Sequence, residues 1–189
     1  MKIAIFSGSF NPIHNGHLAI AHEVLNKAIA GEVWFLVSPQ NPLKRSADLI
    51  PEQQRLNMVQ LAIENEPGMK ASDFEFNLPR PSYTIRTLEK LKSDNPQHQF
   101  TLLIGGDNLA ILHKWVEYER IIDEFGLIIY PRPGFPIPAD LNYQNTINLS
   151  APLIDCSATE IRERVRSGIS IADMVPEKVA QYLELRDDS

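Results

Sequence analysis

Cysteine is almost missing from this chain: Cys156 is the single one in 189 residues. An internal disulfide framework is thereby excluded, and a reducing cytoplasm is the expected location. No apolar run approaches the ~18 residues that a membrane span requires, so no membrane association is expected. The chain opens directly on a strand-like run, so no signal peptide is expected. Basic residues are not in excess either; the formal net charge is −6. That balance argues against a non-specific nucleic-acid binder, although a local phosphate site needs only local charge. Repeats and low-complexity tracts are absent, and a 43% hydrophobic share beside 22% charged residues excludes a disordered chain. Two widespread phosphate grips are missing as well: there is no G-x-x-x-x-G-K-[ST] loop, and no G-x-G-x-x-G follows a strand.

What is present concentrates in residues 7 to 17, Ser-Gly-Ser-Phe-Asn-Pro-Ile-His-Asn-Gly-His. They follow the apolar run Ile3 to Phe6, which reads as a buried strand, and precede Leu18 to Ala30, which reads as a helix. His14 and His17 thus stand where a strand hands over to a helix, at the carboxyl edge of an α/β sheet where ligands bind. A helix N-terminus there offers unpaired N–H groups and a positive dipole end to an anion such as phosphate. Zinc is a weaker alternative: His22 lies five beyond His17, and no further ligand completes a familiar spacing.

Strands are expected at Lys2–Ser7, Glu32–Ser38, Lys70–Phe74, Gln99–Gly105, Gly126–Tyr130 and Thr146–Leu149. Helical spacing joins Leu18, Val24, Leu25 and Ile29; then Leu56, Val59 and Ile63; then Ile85, Leu88 and Leu91. Trp115 to Phe125 and Ala158 to Ser167 read as further helices. The alternation predicts a Rossmann-like, doubly wound α/β fold: a mainly parallel sheet with helices on both faces and right-handed crossovers. The length suits one domain over residues 1–189 with a helical C-terminal piece. Pro39 to Pro51 reads as a loop at the ligand edge, and Pro131 to Pro138 as an extended excursion between two strands.

A second strand–helix junction lies near the end, Cys156-Ser157-Ala158-Thr159-Glu160-Ile161-Arg162. Ser157 followed by Glu160 is a capping box, so a helix should start at Ala158. An ordinary capped surface helix explains those two residues. Thr159 and Arg162 in the same first turn go further: two hydroxyls, backbone amides and a guanidinium form a second anion cradle. Cys156 as a nucleophile is poorly motivated, because no histidine adjoins it in sequence.

The pattern G-x-F-x-P-x-H-x-G-H, filled by Gly8, Phe10, Pro12, His14, Gly16 and His17, resembles the signature of the nucleotidyltransferase superfamily. Its adenylyltransferases pair it with an I-S-x-T-x-I-R element; here Cys156 stands in place of the usual isoleucine, a change that inward packing would tolerate. Three middle segments are similar to the bacterial nicotinate-nucleotide adenylyltransferases: Pro81-Ser82-Tyr83-Thr84, Ile104-Gly105-Gly106-Asp107, and Lys114-Trp115 through Pro131-Arg132-Pro133-Gly134-Phe135. That resemblance implies transfer of AMP from ATP to nicotinate mononucleotide, with Mg²⁺ held mainly by the substrate phosphates rather than by protein ligands. It assigns catalytic roles to His14, His17, Lys44 and Arg162. It places ATP against Gly8, Ser9, Phe10, His14, Gly16, His17, Gly105, Asp107, Ser157, Thr159 and Arg162. The acceptor falls to Ser9, Phe10, Lys44, Tyr83, Thr84, Trp115 and Arg132.

The residues fit that acceptor. N–H donors at a helix start by Tyr83 and Thr84 suit the nicotinate carboxylate, and Trp115 could stack on the pyridinium ring. Core packing is the alternative for Trp115, a half-buried helix-start aromatic for Tyr83, and a helix N-cap for Asp107. One departure stands out: the family commonly has Pro-Pro-His-Lys where this chain has Asn41-Pro42-Leu43-Lys44, so the loop offers a cation but no third histidine. Rival readings are a relative acting on nicotinamide mononucleotide or phosphopantetheine, and a non-catalytic nucleotide sensor on the same fold. A homo-oligomer stays open, with the segment around Arg132 meeting a partner subunit or lining the acceptor pocket.

Overall fold

In the computed structural model, which describes residues 1–39, 49–151 and 156–187, six strands form one sheet in the order β3-β2-β1-β4-β5-β6. They are β1 (Lys2–Gly8), β2 (Glu32–Val37), β3 (Met69–Ser72), β4 (Gln99–Gly105), β5 (Leu127–Tyr130) and β6 (Thr146–Asn148). Every pairing is parallel, and the order is that of the doubly wound nucleotide-binding sheets. All six expected strands are present.

Side-chain alternation explains why the sheet is covered on both faces. Ala4 and Phe6 of β1, Val33, Phe35 and Val37 of β2, and Ile128 and Tyr130 of β5 enter one apolar cluster. Their neighbours Ile3, Ile5, Leu36, Leu127 and Ile129 enter the other. A period of two in strands buried on both sides gives the near-continuous apolar runs seen in the sequence. The first face is packed by α1 (Asn15–Asn26), α2 (Glu52–Ile63), α6 (Ala158–Arg166) and α7 (Glu177–Asp187). The second is packed by α3 (Thr84–Asp94), α4 (Gly106–Ile111) and α5 (Tyr118–Phe125).

Three elements differ from expectation by two residues or more, the other ends by at most one. The first helix starts at Asn15, not Leu18, because His14 already occupies the extended N-cap position; it stops at Asn26, before Ile29, and Ala28 is left-handed (φ 52°). The expected helix over Trp115–Phe125 begins only at Tyr118, since Trp115 is extended and Glu117 is left-handed (φ 53°). The expected strand Lys70–Phe74 ends at Ser72, and a 3₁₀ turn, Phe74–Asn77, follows it.

The chain turns to β2 and β3 on one side of β1 and to β4, β5 and β6 on the other. The carboxyl ends of β1 and β4 therefore flank the topological switch point, where such sheets bind ligands.

Candidate active site

The first junction is packed from beneath. Phe10 is 2% exposed although its φ is +43°, a left-handed value that costs an aromatic residue energy. Its ring lies over Gly8, where a Cβ would come within 3.2 Å of Phe10 Cζ, and meets the His17 imidazole edge-on at 5.1 Å. Phe6 and Phe35 complete the aromatic bed. Glycine at position 8 is thus a matter of space, and phenylalanine at position 10 a support for His17.

The two imidazoles stack, with centroids 3.7 Å apart. His17 Nδ1 accepts from the His14 N–H at 3.2 Å, which leaves the ring proton of His17 on Nε2, the atom that would donate to a phosphate. The His17 N–H goes to the His14 carbonyl at 2.9 Å. His14 Nδ1 lies buried with no hydrogen-bond partner among the described residues. Burial first, and the Arg132 guanidinium second, pull the His14 pKa from 6.5 down to about 4, so its imidazole is neutral at pH 7 in the ligand-free protein.

The bare row of amides expected at the first helix tip is not found. The Asn15 N–H donates to the Met174 carbonyl at 2.9 Å, and the Gly16 N–H donates toward Cys156 Sγ. The segment ahead of α7 covers this tip, so side chains rather than backbone donors face the opening. Burial raises the Cys156 thiol pKa, which agrees with its not serving as a nucleophile.

The second junction meets the first. Ser157 is the N-cap of α6 and accepts from the Glu160 N–H at 3.1 Å. Glu160 turns its carboxylate to Arg164 at 2.8 Å instead of closing the box. Arg162 Nη1 reaches across 151 residues of chain to the Asn11 carbonyl at 2.8 Å, and its Nη2 touches Thr159 Oγ1 at 3.4 Å. The tips of α1 and α6 are therefore bound together. A cleft opens here, lined by His14, Gly16, His17, Tyr130, Arg132 and Cys156 among others.

Across it, Arg132 Nη1 holds Asp107 Oδ2 at 3.1 Å, and Asp107 Oδ1 is buried with no partner among the described residues. Gly105, not Asp107, caps α4; Asp107 lies inside the first turn of that helix. The Pro131–Pro138 excursion folds back as a tight turn in which the Phe135 N–H donates to the Arg132 carbonyl at 2.9 Å. Gly106 makes room for it: a Cβ there would sit 2.1 Å from the Phe135 carbonyl oxygen.

Tyr83 caps α3, as expected, but it is 42% exposed rather than half-buried. Trp115 is partly buried against the apolar cluster beneath α3, α4 and α5. Neither they nor Thr84 line the cleft above; α3 packs the opposite sheet face. Ser9 borders the first loop through its carbonyl. Lys44 and most of the Pro39–Pro51 loop lie outside the described residues. Among the described residues no group of three or more His, Cys, Asp and Glu side chains could hold a metal ion.

Two buried charged groups escaped the sequence reading. Arg55 is wholly inaccessible; burial lowers its pKa to about 10, so it stays charged at neutral pH. Its signal was its place with Met58, Val59 and Ala62 on the apolar stripe of α2. Glu75 is 5% exposed and accepts from Thr87 Oγ1 at 3.0 Å. Burial raises its pKa, opposed by hydrogen bonds from Thr87, Ser38 and Ser7. No local pattern marked it.

A family model described as cytidylyltransferase-like matches residues 5–164. A protein of Bacteroides fragilis named "probable nicotinate-nucleotide adenylyltransferase" is 46% identical over 188 residues, covering 100% of this chain and 94% of that one. A protein of the same name from Bacteroides thetaiotaomicron is 45% identical, covering 97% and 91%. Among solved structures, the nicotinic acid mononucleotide adenylyltransferase of Plasmodium falciparum complexed with NaAD superposes with a TM-score of 0.81 at 22% identity, covering 98% of this chain and 96% of that one.

Proposed function

This chain belongs to the cytidylyltransferase-like family and, within it, to the nicotinate-nucleotide adenylyltransferases, and from that premise we propose how it carries out their reaction. It transfers AMP from ATP to nicotinate mononucleotide, giving nicotinate adenine dinucleotide and pyrophosphate for NAD biosynthesis. The 5′-phosphate oxygen of the acceptor attacks the α-phosphorus of ATP. The bond from that phosphorus to the bridging oxygen breaks, and pyrophosphate leaves with the electron pair.

A phosphate monoester with a second pKa near ~6 is already largely dianionic at pH 7, so no general base is needed. What remains is alignment and neutralisation of charge. His17 donates from Nε2 to the phosphates. His14, neutral before binding, gains a proton more readily once an anion lies beside it. Arg162 and the Ser157 and Thr159 hydroxyls bind the triphosphate from the other tip, with Lys44 as a further cation. Asp107 receives the ribose hydroxyls, with the Arg132 turn beside it. Tyr83, Thr84 and Trp115 take the nicotinate ring and its carboxylate. The cleft is lined by imidazole and guanidinium donors rather than carboxylates, so Mg²⁺, when present, would be held by the substrate phosphates rather than by the protein and would supply charge neutralisation there. The cytoplasm is the fitting location for this chemistry.

One observation supports the reading: the Arg162–Asn11 bond of 2.8 Å, which ties two junctions far apart in sequence to each other. The test is pyrophosphate release from ATP and Mg²⁺ with nicotinate mononucleotide, nicotinamide mononucleotide and phosphopantetheine in parallel. Fastest turnover on the nicotinate acceptor is expected. Preference for either other acceptor would reassign the substrate, and ATP binding without turnover on any of them would make the chain a sensor.

A further inference from the structure

A buried cation with no carboxylate bonded to it among the described residues is the least expected object in this core. Arg55 on α2 has no accessible surface. Its Nε donates to the Ile50 carbonyl at 2.7 Å, its Nη1 to Ser9 at 2.5 Å and Ser38 at 2.7 Å, and its Nη2 to Pro39 at 3.0 Å. Glu52, the nearest acidic influence on it, is bonded to Arg80 at 2.9 Å instead. Burying a full charge is expensive, and an apolar side chain of similar volume serves a core as well or better. The reason for an arginine must lie in what those four carbonyls position.

They come from the β1–α1 loop, the end of β2 and the entry to α2. Ser9 is the informative one. Its carbonyl belongs to the peptide that precedes Phe10, so holding that plane fixes one end of the torsion whose value is the Phe10 φ of +43°. Such a conformation persists only where the surroundings over-determine it. On the other side of Phe10, Asn11 Oδ1 accepts from the Ile50 N–H at 3.1 Å, and the Asn11 carbonyl accepts from Arg162. The Phe10 ring then bears on His17 at 5.1 Å. Two contacts separate the buried guanidinium from the imidazole.

We propose that Arg55 is a positioning residue for adenylyl transfer: its planar fork holds the Ser9–Phe10 peptide and, through the Phe10 ring, orients His17. The proposal rests on the reaction assigned above. Lysine cannot substitute, because one ammonium with three donors has no planar fork to span four carbonyls.

Arg55→Lys is compared with Met58→Ala, a change at an equally buried residue of the same helix, both assayed at 15 °C. Arg55→Lys should fold and lose about 10²-fold in kcat, the scale of a misplaced reacting group. KM for ATP should stay within about threefold, as for an interaction made only in the transition state. Met58→Ala should keep its kcat. Histidine ¹⁵N spectra of the ligand-free proteins should show His17 in one tautomer in the wild type and in Met58→Ala, and in a mixture in Arg55→Lys. Near-normal kcat with an unchanged His17 signal, an equal loss in Met58→Ala, or failure of Arg55→Lys to fold would each overturn the proposal. Should the wild type not turn over nicotinate mononucleotide, the assigned reaction fails, while the spectra still decide whether Arg55 orients His17.

Discussion

The tips of α1 and α3 are built in opposite ways. At α1 the chain is buried, strained and tied from several directions: His14 is 3% exposed, Phe10 is left-handed, and Arg55 and Arg162 hold the loop carbonyls. At α3 the N-cap residue Tyr83 is 42% exposed and makes no side-chain cap bond. Only beneath it does the structure tighten, where Thr87 joins the buried Glu75. The contrast matches the two tasks proposed for them. Phosphoryl transfer gains from donors that do not reorganise as charge develops, whereas recognition of an acceptor needs an accessible rim. Losses at the first tip should therefore appear in kcat, and losses at the second in KM for the acceptor.

The strongest attempt to break this contrast is His17→Ala. It should retain the fold and lose about 10²–10³ in kcat; steady-state turnover near the wild-type value would remove His17 from the chemistry. Next comes acid. The unfolded chain protonates His14 near its ordinary 6.5, while the folded one resists until about 4. Unfolding is then favoured by protons, so stability present above pH 6.5 is lost as the pH falls toward 4, up to about 3 kcal/mol from this group. Urea denaturation at pH 7 and pH 4.5 should show wild type losing more than His14→Gln; equal losses would mean that the imidazole is not held neutral. The mildest effect belongs to the second tip. Trp115→Leu removes a stacking face of roughly 0.5–2 kcal/mol, so KM for nicotinate mononucleotide should rise with kcat little changed. A fall in kcat alone would merge the two regions into one functional unit.

Much of this molecule was legible along the chain. Strands buried on both faces must be apolar throughout, and β1, β4 and β5 stood out for that reason. The Ser157 cap followed from local chemistry, and α3 from the spacing of Ile85, Leu88 and Leu91. Boundaries failed where tertiary contacts override local preference: Glu117 accepts a left-handed φ, and α1 begins three residues early, straight after the extended His14. The amides of α1 were expected to face a ligand, yet Met174 and Cys156 take two of them. Arg55 and Glu75 were hidden for another reason. A charged residue on a short element reads as solvated until its burial is seen.

Residue order alone determined the parallel α/β architecture, the two strand–helix junctions and the kind of chemistry their side chains suit, because strand alternation, caps and short motifs act within a few positions. Only the folded chain decided that Arg162 would meet Asn11, that His14 would be neutral and that a buried guanidinium would set the Phe10 peptide. Those outcomes depend on segments far apart in sequence sharing one low-dielectric space, where each group's charge and hydrogen bonds answer to all its neighbours at once.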